Sequence, residues 1–366
     1  MVRPFYNWFY RRLPVERLET DGNIHLLNEA EAAKLQSLQS KAVWVAAGIG
    51  ALGVLLLYLP AYIWPSLFTK TPVNLFGETF QLPARFMGWS VFLVMIELML
   101  LTMMHIYCIH QMAVTTGFLT YENKPQTSFS DLLLNLSLEK KDKSISRFGI
   151  DPLAGMNKNA LFFWNLLIAL KATISNMLFK ILVQKMLGRY AFQWLQDLAG
   201  IPVFALWNAY GTKQVLQQGR IVIMGQNLVE HAFGEMQKAW PTLKGDQDLV
   251  YNTLQFIAVS KRDYHLNHSI FIRLFVERYG MQKPPVLYSE TVYLQKLQQA
   301  PPDTQQLCKW IIALGFLLDG SLSSREKKRL EELDALGIAP ADWNTMKKWS
   351  KAFMDGKGWE GVPFTV

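Results

Sequence analysis

The sequence is poor in charge and in cysteine. Asp, Glu, Lys and Arg make up 18% of its 366 residues, below the roughly 25% of an average soluble chain, while hydrophobic residues make up 51%. The two cysteines, Cys108 and Cys308, lie far apart, so neither a disulfide framework nor a thiolate metal site is expected. This composition favours a membrane-associated protein.

The sequence also lacks the motifs of common catalytic centres. It contains no H-E-x-x-H, G-x-S-x-G or P-loop pattern, so we expect no catalytic residue, no cofactor and no enzyme activity. Its beginning has basic residues but no apolar core followed by a small-residue cleavage site, and no removable signal peptide is expected. The net charge of +8 fits Lys and Arg on cytoplasmic segments of a membrane protein better than a nucleic-acid partner.

Two long apolar runs predict a transmembrane hairpin at residues 42–110. No charged residue occurs between 42 and 69, and a second apolar run covers 86–108. At about 1.5 Å per residue each run can cross a hydrocarbon core of roughly 30 Å. We therefore predict transmembrane helices at about 42–64 and 86–108. A capping-box pattern at Asn28 and Glu31 predicts that the first helix begins near residue 28.

The basic residues give this hairpin an orientation. Six Lys and Arg residues precede the first helix, whereas the loop between the helices holds only Lys70 and Arg85. Positive-inside counting places both termini in the cytoplasm, so residues 1–41 form a cytosolic segment. We expect a multi-pass protein of the bacterial inner membrane, with the lipid bilayer as a partner.

Residues 48–53, GIGALG, match the G-x-G-x-x-G pattern of a dinucleotide-binding turn. Helix formers rather than a strand precede this segment. After it, no acidic residue that could hold a ribose hydroxyl occurs until Glu78. Small residues at helical spacing instead predict a packing surface for a neighbouring membrane helix. That neighbour is the second helix or another subunit, which makes a homo-oligomer or a membrane-protein partner expected. The stripe consists of Ala42, Ala46, Gly50 and Gly53.

Glu97 and His105 are ionisable residues inside the second apolar run. A charge at the centre of a membrane helix is costly, which makes such residues candidates for function. One interpretation is a proton or ion relay in an oligomer. The other is a polar group hydrogen-bonded to the first helix or to a symmetry mate. His105 and His110 are five residues apart and face different sides, so they are poor metal ligands.

The middle of the chain reads as a linker at 111–158 and a membrane-proximal amphipathic helical region at 159–240. One helix is predicted at 160–187, and Gly200-Ile201-Pro202 predicts a break before a further helix at 212–239. Basic residues there make anionic lipid a candidate partner. They are Lys180, Lys185 and Arg189, together with those of the linker.

Residues 241–366 contain an imperfect internal repeat with an offset of 56. It aligns Asp263 with Asp319 and, after one added residue, Gly280 with Gly337. Each copy reads as an apolar helix, a turn begun by Asp, a Ser or Asn cap, a second helix and a terminal Gly. Two such copies predict a compact helical bundle, although a chance match of two amphipathic helix pairs gives the same pattern.

The second copy contains LLDGSLSSREKKRLEEL, residues 317–333. This segment resembles the D-G-x-[IL]-S-x-x-E hallmark of the TerB-like (tellurite-resistance B) helical family, with Asp319, Gly320, Leu322, Ser323 and Glu326 in the motif positions. The resemblance implies an all-helical domain of paired halves, linked to metal-ion stress and membrane assemblies. Asp319 and Glu326 are the candidate metal ligands that it would imply.

The same segment has a simpler interpretation. Asp-Gly followed by Ser323 fits a tight turn and a helix cap, and the charged run from Ser324 reads as a solvated helix face that includes Glu326.

These features together predict a mainly α fold. It combines a two-helix transmembrane hairpin, membrane-proximal helices and a C-terminal TerB-like bundle with an internal repeat. The predicted function is a membrane-anchored scaffold or stress-associated interaction module, without catalysis, that oligomerises through the small-residue stripe. The alternative is a small oligomeric channel or transporter subunit that uses Glu97.

Overall fold

A computed structural model describes residues 2–15, 27–69, 71–75, 78–82, 84–119, 200–243, 247–261, 265–284 and 286–357. This part of the chain contains ten α-helices and one short β-hairpin. The mainly α fold is therefore confirmed. The predicted helix at 160–187, the basic residues Lys180, Lys185 and Arg189, and Asp263 lie outside the described residues.

The two apolar runs form the long helices α2 (Glu29–Ile63) and α3 (Ala84–Thr115). Both are long and apolar enough to cross a membrane. The predicted capping box is confirmed, because Asn28 Oδ1 accepts from the Glu31 N–H at 2.8 Å and the Asn28 N–H donates to Glu31 Oε2 at 3.0 Å. Helix α3 extends beyond the predicted residue 108 and ends before Gly117, whose φ of 68° suits glycine.

The far end of the hairpin is fixed by a proline and a tryptophan. Pro60 lies inside α2 and has no N–H, so the Leu56 carbonyl one turn earlier has no helical partner. Trp89 of α3 donates its Nε1–H to this carbonyl at 2.9 Å. A 3-10 turn (Pro65–Phe68) and the antiparallel strands β1 (Thr71–Leu75) and β2 (Glu78–Leu82) connect the two helices.

Helix α1 (Val2–Arg12) packs against the other end of α3. Tyr6, Tyr10 and Leu13 are buried with the last turns of α3. The Tyr10 ring meets His110 edge-on at 5.4 Å, and His110 Nε2 donates to the Pro14 carbonyl at 2.9 Å. The beginning of the chain is thus folded onto the hairpin.

Helix α4 (Gly200–Ala239) is longer than predicted. The sequence predicted a break at Gly200-Ile201-Pro202 and a helix from residue 212, but the described helix already includes these residues. All three residues are helical, so the predicted break at this position was wrong. The helix ends before Pro241, as predicted.

Six further helices form the C-terminal bundle. The first repeat copy contains α5 (Gln247–Lys261) and α6 (Leu266–Tyr279), and the second contains α8 (Pro302–Leu317) and α9 (Ser324–Ala335). Helix α7 (Glu290–Gln299) connects the copies, and α10 (Trp343–Asp355) follows them.

The helix pairs agree with the predicted offset. Gly280 and Gly337 both have positive φ, at 60° and 72°, as expected of glycines that end helices. The first copy differs at its second helix, which is capped by His265 rather than by Ser or Asn. Ser323 caps the corresponding helix of the second copy.

Candidate functional site

Large exposed apolar side chains are concentrated on three helices that contact one another. They lie within residues 44–64 on α2, 87–107 on α3 and 204–210 on α4, and we call them the apolar belt. Trp44 is 76% exposed, Val91 64% and Leu206 70%. So many large exposed apolar side chains on neighbouring helices mark a region that contacts a membrane or another protein.

Two glycines of the small-residue stripe approach different helices, with Gly50 against α4 and Gly53 facing α3. Ala42, Ala46 and Gly50 are buried, and Gly53 is partly buried. A Cβ atom on Gly50 would lie 2.5 Å from the Phe204 carbonyl oxygen, so only glycine permits this approach of the two helices. The described neighbour of Gly50 is therefore α4 of the same chain rather than the second apolar helix.

Both polar candidates on α3, Glu97 and His105, contact polar side chains of α4. Asn208 donates its Nδ2–H to Glu97 Oε1 at 2.5 Å, and His105 Nε2 lies 3.0 Å from Thr212 Oγ1. Gly53 faces Glu97, because a Cβ there would lie 3.3 Å from Glu97 Oε2. Two polar pairs thus join α3 to α4 inside otherwise apolar surroundings, where they fix the register between the helices.

The second half of α4 belongs to the C-terminal bundle. Val229, Phe233 and Met236 are buried in its core. Asn267, at the start of α6, donates to the Ile221 carbonyl of α4 at 2.9 Å and to the Leu318 carbonyl at 2.7 Å. One helix therefore supplies contacts both to the hairpin and to the bundle.

The bundle contains a buried cluster of charged side chains around Lys261, the last residue of α5. Its Nζ donates to Asp319 Oδ1 at 2.8 Å and contacts Glu326 Oε1. It also donates to the carbonyls of Phe316 at 2.8 Å and Ser321 at 3.1 Å. Only 2% of the Lys261 side chain is exposed, so four oxygen atoms take the place of water around this ammonium.

Local backbone structure positions the two carboxylates. Helix α8 ends in a turn in which Gly320 has a φ of 69° and the Ser321 N–H donates to Asp319 Oδ1 at 3.0 Å. Ser323 and Glu326 form a capping box at the start of α9, with the Ser323 N–H donating to Glu326 Oε2 at 2.7 Å. The D-G-x-[IL]-S-x-x-E segment therefore holds both acids towards Lys261.

Burial and charge act on these carboxylates in opposite directions. Burial is the largest single effect on Asp319 and opposes its ionisation. The charge and hydrogen bond of Lys261, together with His268 and the Ser321 N–H, outweigh burial and hold the pKa of Asp319 below its ordinary value. For Glu326 burial is the larger effect, and its pKa is raised although Lys261 favours the charged form. Both carboxylates contact the Lys261 ammonium, but their pKa values are shifted in opposite directions.

His268 caps the end of α8 from the other repeat copy. Its Nε2 donates to the Gly315 carbonyl at 2.7 Å. Burial lowers the pKa of His268 to about 4, despite the nearby Asp319. The imidazole is therefore neutral at physiological pH. With Lys261 and Asn267, it satisfies carbonyls that the end of a helix leaves without partners.

The candidate metal ligands Asp319 and Glu326 lie in this cluster, and the Lys261 ammonium occupies the space between them. Among the described residues, no three His, Cys, Asp or Glu side chains form a group that could hold a metal ion. The prediction that Glu326 lies on a solvated face was wrong, since its side chain is 1% exposed. Lys327, paired with Glu331 at 3.7 Å, does lie on the exposed face.

Sequence reasoning missed Lys261, although two signals pointed to it. At the repeat offset of 56 it aligns with Leu317, a buried position at the end of α8. Glu326 also shares a helix face with Leu330 and Leu333 through spacings of four and three, and all three are buried. A lysine at a core position and an acid on an apolar stripe together indicate a buried ion pair.

No protein-family model, curated protein or solved structure matches the chain. The resemblance of residues 317–333 to the TerB-like family stays a prediction.

Proposed function

We propose that the protein is a membrane-anchored scaffold that holds a cytosolic helical bundle at a fixed position below the bilayer. The observation that carries this proposal is the double role of α4, which packs against Gly50 beside the apolar belt and supplies core residues to the bundle. The bundle would serve as an interaction module and would not catalyse a reaction.

The length of the apolar belt supports the membrane anchor. On α2 the belt spans residues 44–64, which is about 30 Å at 1.5 Å per residue and equals the thickness of a hydrocarbon core. Tyr62 and Trp64 at one end, and Trp44 at the other, are all exposed and suit the two interfaces. The distribution of Lys and Arg supports an anchor in the bacterial inner membrane with the bundle on its cytosolic side.

The TerB-like resemblance supports a stress-associated role for the bundle. The acids of the hallmark are bound to Lys261, so the bundle has its own internal cation. We propose that the hallmark stabilises the repeat without a bound metal.

The alternative channel or transporter subunit would use Glu97. The hydrogen bond from Asn208 and the contact with Gly53 favour a packing role for this carboxyl, because a group that carries ions through a pore needs access to water. We therefore rank the scaffold above the channel.

Reconstituted protein separates the two functions. Ion flux into proteoliposomes should equal that of empty liposomes for the parent chain and for Glu97→Gln. Flux that the parent chain raises and Glu97→Gln abolishes would replace the scaffold by the channel.

Proximity labelling in cells tests the scaffold itself. A labelling enzyme fused after residue 366 should mark a set of cytosolic proteins that an unrelated two-helix anchor with the same fusion does not mark. Identical sets would contradict the interaction role. Release of the chain from membranes by alkaline carbonate would contradict the anchor.

A further inference from the structure

The outer face of α1 is aromatic and basic. Phe5 is 39% exposed and Trp8 48%, their rings stack at 5.9 Å, and Arg11 and Arg12 are exposed. The Arg12 guanidinium lies 4.2 Å from the centre of the Trp8 ring. The helix contains no acidic residue. This combination of aromatic and arginine side chains is typical of helices that lie in a membrane interface.

The inner face of α1 fixes its depth relative to the apolar belt. Tyr6 and Tyr10 are buried in a cluster with Ile109 and Met112 of α3. On α3 the belt ends at Tyr107, two and five residues earlier, which is about 3–8 Å along the helix axis. A headgroup layer is roughly 5–8 Å deep. Helix α1 is thus attached at the level of the headgroups if the belt lies in the hydrocarbon core.

We propose that α1 binds the cytoplasmic leaflet, with Arg11 and Arg12 on anionic phospholipid headgroups and Phe5 and Trp8 among the first acyl carbons. This proposal rests on the membrane anchor proposed above. Charge complementarity selects the anionic lipid, because an arginine near an anionic surface gains attraction that a zwitterionic surface does not offer. The attachment of α1 within about 3–8 Å of the end of the belt along α3 selects a lipid surface over a soluble protein.

The attachment of α1 also gives it a role. Because the inner face is held by His110 and by the end of α3, a bound outer face would clamp the hairpin to the cytoplasmic leaflet. Binding needs little ordering of the helix, since its position on α3 is already fixed.

A fluorescent label with brominated lipids tests this contact. Phe5→Cys, labelled with bimane, is reconstituted into nanodiscs of equal parts phosphatidylcholine and phosphatidylglycerol brominated near the glycerol end of their acyl chains. Val91→Cys in the belt and Lys347→Cys on α10 are the matched controls. The parent chain controls for background, because Cys108 and Cys308 are both buried.

We expect quenching at positions 5 and 91 and none at position 347. Each of Arg11→Glu and Arg12→Glu should lower the equilibrium constant for insertion of the label at position 5 by at least about fivefold, and high salt should act in the same direction. The label at position 91 should be unaffected by either change.

Three results would overturn the inference and leave the membrane anchor standing. In the first, the label at position 5 stays bright while the label at position 91 is quenched. In the second, the label at position 5 is quenched as strongly in pure phosphatidylcholine, or in the arginine variants, as in the parent background with anionic lipid. In the third, neither bromolipid nor aqueous iodide quenches the label at position 5, which would mean that protein covers this face. A bright label at position 91 would instead overturn the proposed anchor, and the inference with it.

Discussion

Replacing Lys261 by Met removes the positive charge from between two buried carboxylates. The lysine side chain is 2% exposed and that of Glu326 is 1% exposed, so solvent cannot replace the lost ammonium without opening the bundle. Breaking a buried pair by removing one partner costs about 3–5 kcal/mol of unfolding free energy. For a bundle of this size that corresponds to a fall in melting temperature on the order of 10 °C.

The cost of Lys261→Met should depend on pH. In the parent chain the pKa of Asp319 is lowered, so its contribution is present above its unfolded pKa and is lost as the pH falls through its folded pKa. In the variant both carboxylates are buried without a counter-ion, and protonation relieves this strain. The difference between the two proteins should therefore be largest at neutral pH and shrink as the pH falls below the carboxylate range.

Hydrogen exchange of α8 and α9 measures this loss in the purified protein without contributions from the hairpin. Lys327→Met is the matched control, because this exposed lysine pairs only loosely with Glu331, and it should change stability by less than about 0.5 kcal/mol. Adding Glu326→Gln to Lys261→Met should restore at least about 1 kcal/mol. Equal losses for the two lysine variants, or additive effects in the double variant, would refute the buried-pair reasoning.

Three further predictions concern close packing and pH. Gly50→Ala should lower the free energy of unfolding, measured by thermal denaturation in detergent, by about 1–3 kcal/mol, because the added Cβ would overlap α4. Gly48→Ala is the control and should have no effect, because the space around Gly48 is open. A lower oligomer mass for Gly50→Ala would instead indicate an intermolecular contact. Gly225→Ala should destabilise α4 and α6, as measured by hydrogen exchange, because its Cβ would overlap the side-chain amide of Asn267. Gly234→Ala is the control and should be neutral or stabilising, because the space around Gly234 is open. The free energy of unfolding should fall by about 3 kcal/mol from pH 6.5 to 4. In this range the imidazole of His268 binds a proton in the unfolded chain, whereas in the folded chain it stays neutral down to its pKa of about 4. In His268→Gln the free energy of unfolding, measured by denaturation, should change less with pH.

The long helices were predictable because few structures accommodate an uncharged run of about twenty residues. Their exact ends depended on local signals of unequal strength. Asn28 and Glu31 form a specific pattern, and the start of α2 followed from it. The end of α3 had no such signal until Gly117, so the helix continued to Thr115 after its apolar run had ended.

The break predicted at Gly200-Ile201-Pro202 was wrong, since these residues are helical. Gly and Pro disfavour a helix interior, but this local preference did not decide the structure here. The choice depended on contacts with residues far away in sequence. Gly200 approaches Val54, and Phe204 packs on Gly50, and no local pattern contains that information.

The Lys261 cluster was hidden for a similar reason. Its charged partners follow the lysine by 58 and 65 residues, and the surrounding charges made Glu326 resemble a solvated side chain. Helical periodicity did place Glu326 with Leu330 and Leu333, but a periodicity that counts only apolar residues passes over a buried acid. An acidic residue on an apolar stripe predicts a buried basic partner elsewhere in the chain, and Lys261 is such a residue.

The contacts of α4 determine what a partner of the bundle could influence. The described helix has forty residues and a length of about 60 Å. Asn208 ties it to α3 and Asn267 ties it to the bundle, while the Leu27 N–H, beside the start of α2, donates to the Gly356 carbonyl at 2.8 Å after the end of α10. Two separate connections therefore resist bending between the hairpin and the bundle. A partner that shifts the bundle would have to move α4 against Gly50, where the close approach leaves no free space. Movement of the hairpin and the bundle as one body is the energetically easier response, and it agrees better with the proposed scaffold than with a gated pore.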